Sequence, residues 1–296
     1  MSVKTVRLKS PAKINLWLKI LGRRTDGYHE LDTLLCPISL YDDIVLEPKC
    51  FQGVGITIDN TLQQFVPADK TNLAFKAAEL FFPYTGFSGG LNIKITKRIP
   101  IGAGLGGGSS NAAAVLYGLN VLYGEPVSLN DLAVLALKLG ADVPFFLQKC
   151  PARALGIGEK LVPWPNKFNL AAVVIFPGVM ASTAKIYQNF KFPLTNVSKH
   201  SICLKAQKKA QSQNLGFVLQ NDLEQSALAL FTEIGAAKSA LANVGMNDVL
   251  MSGSGSAVFG LCSDMAQAQR FVAELKIKSG WRVFTVDILN KFDIVL

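Results

Sequence analysis

Between Pro100 and Asn111 the chain reads Pro-Ile-Gly-Ala-Gly-Leu-Gly-Gly-Gly-Ser-Ser-Asn, with glycine at five of the seven positions from 102 to 108. Glycine costs an ordinary helix or strand about 0.5–1 kcal/mol relative to alanine, so this cluster specifies a backbone that turns sharply and is closely approached. From Ala112 to Leu122 the chain carries Val115, Leu116, Leu119 and Leu122 at helical spacing, which predicts a helix capped by Ser109 or Ser110. The first N–H groups of a helix lack intrahelical partners and carry about half a positive charge. A glycine loop feeding such a terminus makes a cradle for a small anion.

Two familiar loop patterns fit poorly. A P-loop needs lysine immediately before its serine or threonine, and that position holds Gly108. Gly102, Gly104 and Gly107 satisfy the dinucleotide pattern G-x-G-x-x-G, and Glu125 stands near its acidic position. However, Pro100 interrupts the strand that should run straight into the turn.

A length of 296 residues is enough for two domains of about 150 residues each. Half the residues are hydrophobic and 17% are charged, which excludes a disordered chain. The longest apolar runs, such as 171–176, are too short to span a bilayer, and the first ten residues lack the apolar stretch of an export signal. A cytoplasmic protein is expected, with no membrane partner. Cys36, Cys50, Cys150, Cys203 and Cys262 show no C-x-x-C spacing, which argues against zinc and disulfides, and two histidines leave little for a histidine metal site or a serine–histidine triad. Much of the net charge of +9 comes from residues 160–221, which hold eight lysines and no acid. Without interleaved arginines or a helical stripe, they read as a solvated basic surface rather than a nucleic-acid site.

Along the chain, Ile14, Leu16, Leu18 and Ile20 alternate with Lys13, Asn15, Trp17 and Lys19 in a predicted strand, placing Lys13 and Asn15 on one face. A polar loop, 22–31, follows with Asp26-Gly27 as its turn and the pair Tyr28-His29, an aromatic ring beside a hydrogen-bonding ring, which suits a flat nucleobase. Strands are predicted over 43–47, 54–58 and 91–99, with Lys97 placed to help neutralise phosphate, and a helix near Thr71 with Ala74, Ala77, Ala78 and Phe81 inward. Ser128-Leu-Asn-Asp131 opens a helix that Gly140 closes. Asp142 then precedes Pro144 and an expected apolar strand, and by itself reads as a turn or capping aspartate. Pro163-Trp164-Pro165 marks the expected junction between domains 1–163 and 164–296. Beyond it come a buried strand over 171–176, a helix start over 182–190, a basic surface excursion over 191–215, helices around 223–230 and 234–244, and a strand–glycine turn–strand over 249–259.

Four separated stretches, Pro11-Ala-Lys-Ile-Asn-Leu16, residues 102–111, Leu139-Gly-Ala-Asp-Val-Pro144 and 252–259, together resemble the GHMP kinases, which include galactokinase, homoserine kinase and mevalonate kinase. Arg24-Thr-Asp-Gly-Tyr-His-Glu-Leu31 resembles the branch of that family acting on a cytidylated sugar alcohol. The resemblance implies an α+β, two-domain GHMP kinase fold, in which an N-terminal nucleotide-binding domain and a C-terminal α/β sandwich domain flank a cleft. It implies ATP as phosphoryl donor with Mg²⁺, and the 2-hydroxyl of 4-diphosphocytidyl-2-C-methyl-D-erythritol, in the non-mevalonate isoprenoid route, as acceptor.

Carried over by motif, Asp142 becomes the catalytic base or charge partner and Lys13 its cation. Lys97, Asn72 and the run Pro100, Ile101, Gly102, Ala103, Gly104, Leu105, Gly106, Gly107, Gly108, Ser109, Ser110 and Asn111 would bind ATP, with the Ser110 hydroxyl a contact for Mg²⁺. Asn15, Tyr28, His29, Thr183 and Tyr187 would bind the acceptor, with Tyr187 on the far face of the base. Ala103 stands where relatives often have glycine, a methyl expected to narrow the loop slightly. A monomer or homodimer without a nucleic-acid partner is expected. The alternatives are another GHMP kinase for a different small alcohol, or a basic nucleic-acid-binding protein.

Overall fold

The computed structural model describes residues 5–50, 52–60, 65–87, 89–192 and 219–296. Two β-sheets pack face to face with helices on both outer surfaces, and three apolar cores fill the spaces between these four layers. The first sheet runs β3 (Gly53–Asn60), β4 (Gly90–Lys97), β2 (His29–Lys49), β1 (Val6–Arg23), β8 (Gln220–Asn221), with β5 (Ala152–Gly156) on β2 and β6 (Lys160–Pro163) on β5. The second runs β11 (Arg282–Asp287), β7 (Ala171–Phe176), β10 (Val258–Cys262), β9 (Val249–Met251), antiparallel throughout.

Strand β7 shows why its sequence is continuously apolar. Ala172, Val174 and Phe176 enter the core between the sheets, whereas Ala171, Val173 and Ile175 enter the outer core under the helices. In β1 the simple alternation fails, because the register to β2 shifts at Pro11/Ala12, Asn15/Trp17 and Ile20/Gly22. Trp17 is thereby turned off the polar face of Lys13 and Asn15 into the inter-sheet core, edge-on to Trp164 at 5.5 Å. Residues 292–296 return from the second sheet to the first: Val295 bridges Leu8, and Phe292 and Ile294 enter the core beneath the N-terminal helices.

Four helices cover the first sheet. Helix α1 (Leu73–Thr85) begins near the expected Thr71, with the Asn72 side chain accepting from the Ala74 N–H, and α3 (Leu129–Leu139) is capped as expected by Ser128. Helix α2 (Gly107–Leu122) starts five residues before Ala112, so Ser109 and Ser110 lie inside its first turn rather than at its cap. Gly106 takes the cap position at φ 71. A side chain at Gly107 would meet Ile99 and Lys97 at 2.9 Å, so this turn can approach β4 only with glycine. The strand expected after Asp142 is instead α4 (Val143–Gln148): Pro144 falls in the first turn, where its missing N–H goes unused by the helix.

The second sheet carries α5 (Thr183–Asn189), α6 (Glu224–Leu230), α7 (Thr232–Asn243) and α8 (Met265–Glu274). Most of the basic excursion, 193–215, lies outside the described residues. No described helix is long and apolar enough to cross a membrane.

Candidate active site

A cleft of about 1280 Å³ opens between the two layers. On one side stand the glycine loop, Lys13 and Asn15 of β1, and Asp142 before α4; on the other stand residues 181–192 and the turn 253–255. Pro100 to Ser109 and Asn111 all line it.

The glycine loop is shaped by its contact with a second glycine turn between β9 and β10. Gly102, Gly104 and Gly106 have φ values of 62, 71 and 71°, a conformation that favours glycine. The loop's carbonyls are engaged on the protein side: Gly102 accepts from Ala181 and Ser256, Ala103 from Ala257, Leu105 from Lys13, and Gly104 from the Ser252 hydroxyl. No N–H of residues 102–106 donates in a described backbone hydrogen bond, and the N–H groups of Gly107, Gly108 and Ser109 have no helical acceptor, the first helical bond of α2 running from Ser110 N–H to the Gly106 carbonyl. The loop therefore offers donors to the cleft, as an anion cradle requires. Ala103 is buried in the inter-sheet core, so its methyl packs there instead of narrowing the loop.

Lys13 and Asp142 approach each other at 3.9 Å, the lysine buried and the carboxylate side chain 42% exposed. Lys13 also donates to Asn15 Oδ1 at 2.7 Å, and Asn15 Nδ2 donates to Thr33 Oγ1 at 2.8 Å, which fixes the amide. Burial pushes the Lys13 pKa below its ordinary 10.5, while the Asp142 charge pulls it back up. The lysine stem packs on Gly106, where a Cβ would stand 3.1 Å from Lys13 Cγ. This is a cation held beside a partly exposed carboxylate and facing the anion cradle.

Beneath the cradle lies a polar cluster whose centre, Asp42, sequence reasoning missed. Fully buried, Asp42 accepts from Lys97 Nζ at 2.6 Å, Asn111 Nδ2 at 2.9 Å, and the Arg98 and Ile99 N–H groups at 2.7 and 2.9 Å. Lys97 also donates to the Ile99 carbonyl, and burial lowers its pKa against the opposing pull of Asp42. Lys97 is thus built into the loop's foundation. The Ser110 hydroxyl, expected to face metal or phosphate, is buried and accepts from Ser10 Oγ at 2.8 Å. The hydroxyl lining the cleft is that of Ser109. Nothing local in the sequence marks Asp42, because its burial follows from its register in β2 opposite Ser10.

At the other end of the cleft, Tyr28 is exposed, and His29 meets Tyr187 at 5.1 Å with the rings tilted by 36°, with Phe190 and Phe192 each 6.1 Å from the His29 ring. Tyr187 therefore does not face His29 across a base-wide gap. Burial and the Asp142 charge both raise the Tyr187 pKa, so this phenol stays protonated. Thr183 Oγ1 lies 2.8 Å from Ser254 Oγ across the cleft wall. Asn72 has both ends of its amide engaged, donating to the Pro67 carbonyl and accepting from Ala74 N, so it shapes the wall at 66–73.

Residues 72–149 match the family described as GHMP kinases N terminal domain, and residues 202–279 the one described as GHMP kinases C terminal. The chain belongs to the GHMP kinases, whose phosphoryl donor is ATP. It is 42% identical over 282 residues, 95% of its length and 98% of the relative's, to a 4-diphosphocytidyl-2-C-methyl-D-erythritol kinase of Syntrophotalea carbinolica. A crystal structure described as 4-(cytidine 5'-diphospho)-2C-methyl-D-erythritol kinase is similar with a TM-score of 0.79 at 38% identity, covering 95% of this chain and 98% of that one. Within the GHMP kinases, this chain is a member of the 4-diphosphocytidyl-2-C-methyl-D-erythritol kinase family. A homoserine kinase from Cytophaga hutchinsonii, at 19% identity and TM-score 0.74 over 100% of this chain and 98% of that one, shares the fold.

Proposed function

We infer that this chain transfers the γ-phosphoryl group of ATP to the 2-hydroxyl of 4-diphosphocytidyl-2-C-methyl-D-erythritol, in the non-mevalonate route to isoprenoids. The observation that supports it most is the cleft itself, which holds the glycine cradle, the Lys13–Asp142 pair and the aromatic patch in one space. The halves 1–163 and 164–296 act as the two domains flanking that cleft, the first contributing the cradle and the second the wall at 181–192 and 253–255.

In this reading the N–H groups of residues 102–109 hold the ATP phosphates, over a foundation of Lys97, Asp42 and Asn111. The acceptor hydroxyl sits beside Asp142, which takes its proton as the oxygen bonds the γ-phosphorus and the bond to the β-phosphate bridge breaks, releasing ADP. Lys13 stabilises the negative charge that builds on that oxygen. Tyr28 and His29 hold the cytosine, with Tyr187 closing the inner side of His29.

Asp142 is the one carboxylate lining the cleft among the described residues, and these hold no cluster of three or more His, Cys, Asp or Glu side chains able to cage a metal. That donor set fits Mg²⁺ held chiefly by nucleotide phosphates, with the Ser109 hydroxyl as the chain's own ligand and Asp142 left to take the proton. Bound there, it would neutralise charge on the transferring phosphoryl group.

Two outcomes test this assignment. Replacing His29 with alanine should raise KM for the cytidylated acceptor about 10-fold and leave KM for ATP unchanged, as expected for loss of one base contact; steady-state kinetics with each substrate varied gives the answer, and equal effects on both would remove His29 from base recognition. Lys13 must be protonated to act, and burial lowers its pKa, so kcat should fall with rising pH through a limb below 10.5. Because the Asp142 charge raises that pKa, the residual activity of Asp142→Asn should lose its alkaline limb at still lower pH. A limb that stays in place in the variant would separate the two residues.

A further inference from the structure

The second glycine turn closes over the Lys13–Asn15 pair: a Cβ at Gly253 would stand 3.1 Å from Lys13 Nζ and 3.3 Å from Asn15 Oδ1. What fixes Gly253 comes from neither half of the cleft wall. Asn221 Nδ2 donates to the Gly253 carbonyl at 2.7 Å and to the Met251 carbonyl at 2.9 Å, and Asn221 Oδ1 accepts from the Leu223 N–H at 3.0 Å. Asn221 is buried, so the described hydrogen bonds account for every polar group of its side chain.

Asn221 is also tied to the strand that bears Lys13. It pairs in parallel with Leu18 of β1, the next residue donates its N–H to the Leu18 carbonyl, and the Asp222 carboxylate accepts from the Ile20 N–H at 2.8 Å. Residues 220–222 thus clasp β1 on one edge and the turn 251–253 on the other. The turn in turn presses on the glycine loop, Ser252 donating to the Gly104 carbonyl. The Asn221 amide thus joins the strand that bears the ammonium to the backbone that covers it.

We propose that Asn221 is a positioning residue for the phosphoryl transfer read above: through the Gly253 and Met251 carbonyls it holds the turn 252–255 over Lys13, keeping the ammonium on Asn15 and Asp142. The proposal rests on that kinase reading. Its consequence is a loss of kcat larger than any loss of ATP affinity, since the turn covers Lys13 directly and reaches the ATP cradle only through its contacts with the glycine loop.

The test compares Asn221→Asp and Asn221→Ala with native protein in steady-state kinetics, ATP binding by calorimetry and thermal unfolding. Aspartate keeps the acceptor for Leu223 N–H but loses both donors, so it isolates the clasp on the turn. Both variants should lose about 10-fold or more in kcat, with KM for the acceptor within about twofold and any loss of calorimetric ATP affinity several-fold smaller than the loss of kcat. Gly253→Ala, which crowds Lys13 from the turn side, should show the same kcat loss, whereas Gln225→Ala, on the exposed face of α6, should not. Unchanged kcat in Asn221→Asp overturns the proposal, as does a loss of ATP affinity as large as the loss of kcat or failure to fold, either of which assigns Asn221 to the fold alone. Absence of kinase activity in the native protein would instead strike the underlying reading and leave ATP-binding data to report on the loop.

Discussion

Asp142→Asn should lower kcat by about 10²–10⁴-fold, the range for losing a positioned general base, while ATP binding persists. The substitution keeps shape and removes charge. Nothing in the packing opposes it: the Asp142 side chain is 42% exposed and meets Lys13 only at 3.9 Å, so the amide costs the fold little. ADP release by the variant, set beside its ATP affinity by calorimetry, separates chemistry from binding. A variant that turns over at the native rate would place the proton elsewhere, and one that no longer binds ATP would make Asp142 part of the nucleotide site.

A second large effect is expected from Gly104→Ala, this time on the fold of the cradle. Gly104 stands at φ 71, and a Cβ there would collide with the Ser252 carbonyl oxygen and reach Gly255 N at 3.0 Å and Gly255 O at 3.1 Å. All three are backbone atoms, so no side chain can swing aside. Strain at positive φ costs about 1–3 kcal/mol and overpacking another 1–3, together roughly 2–6 kcal/mol. Urea unfolding should show a lowered midpoint, and ATP affinity should fall with it because the two glycine turns can no longer touch. Native stability with native ATP affinity would mean that the contact between the turns is dispensable. Ala103, one residue away, gives the contrast: its methyl is already buried in the inter-sheet core.

The parts of this molecule legible in its sequence are those where one segment carries its own explanation. Residues 171–176 are apolar at every position because both faces of β7 are covered, and Ser128 caps α3 through a bond only three residues long. The glycine loop announced an anion cradle because no ordinary element tolerates that composition. A serine cap at Ser109 or Ser110 is three or four residues late, because serine is the commoner cap whereas here the cap is Gly106 at positive φ, with Gly107 pressed onto Ile99.

What could not be read depends on partners far along the chain. Asp42 looks like a surface acid in a run of two, and only its 55-residue-distant bond to Lys97 makes it the foundation of the loop. Trp17 was placed on the wrong face because a register shift at Asn15/Trp17 leaves no mark in the alternation. Ser110 and Ser109 are adjacent and chemically identical, and only the helix start decides that Ser110 turns inward to Ser10 while Ser109 lines the cleft. The same distance dependence hides Asn221, which in a two-residue strand joins β1 to the turn 251–253.

The most direct single measurement is ADP formation by the native protein with ATP, Mg²⁺ and 4-diphosphocytidyl-2-C-methyl-D-erythritol, run beside homoserine and mevalonate as acceptors. ADP should appear in step with a product phosphorylated at the 2-hydroxyl, and only with the cytidylated acceptor. Folded, ATP-binding protein that leaves this acceptor untouched, or that phosphorylates another alcohol faster, contradicts the assignment.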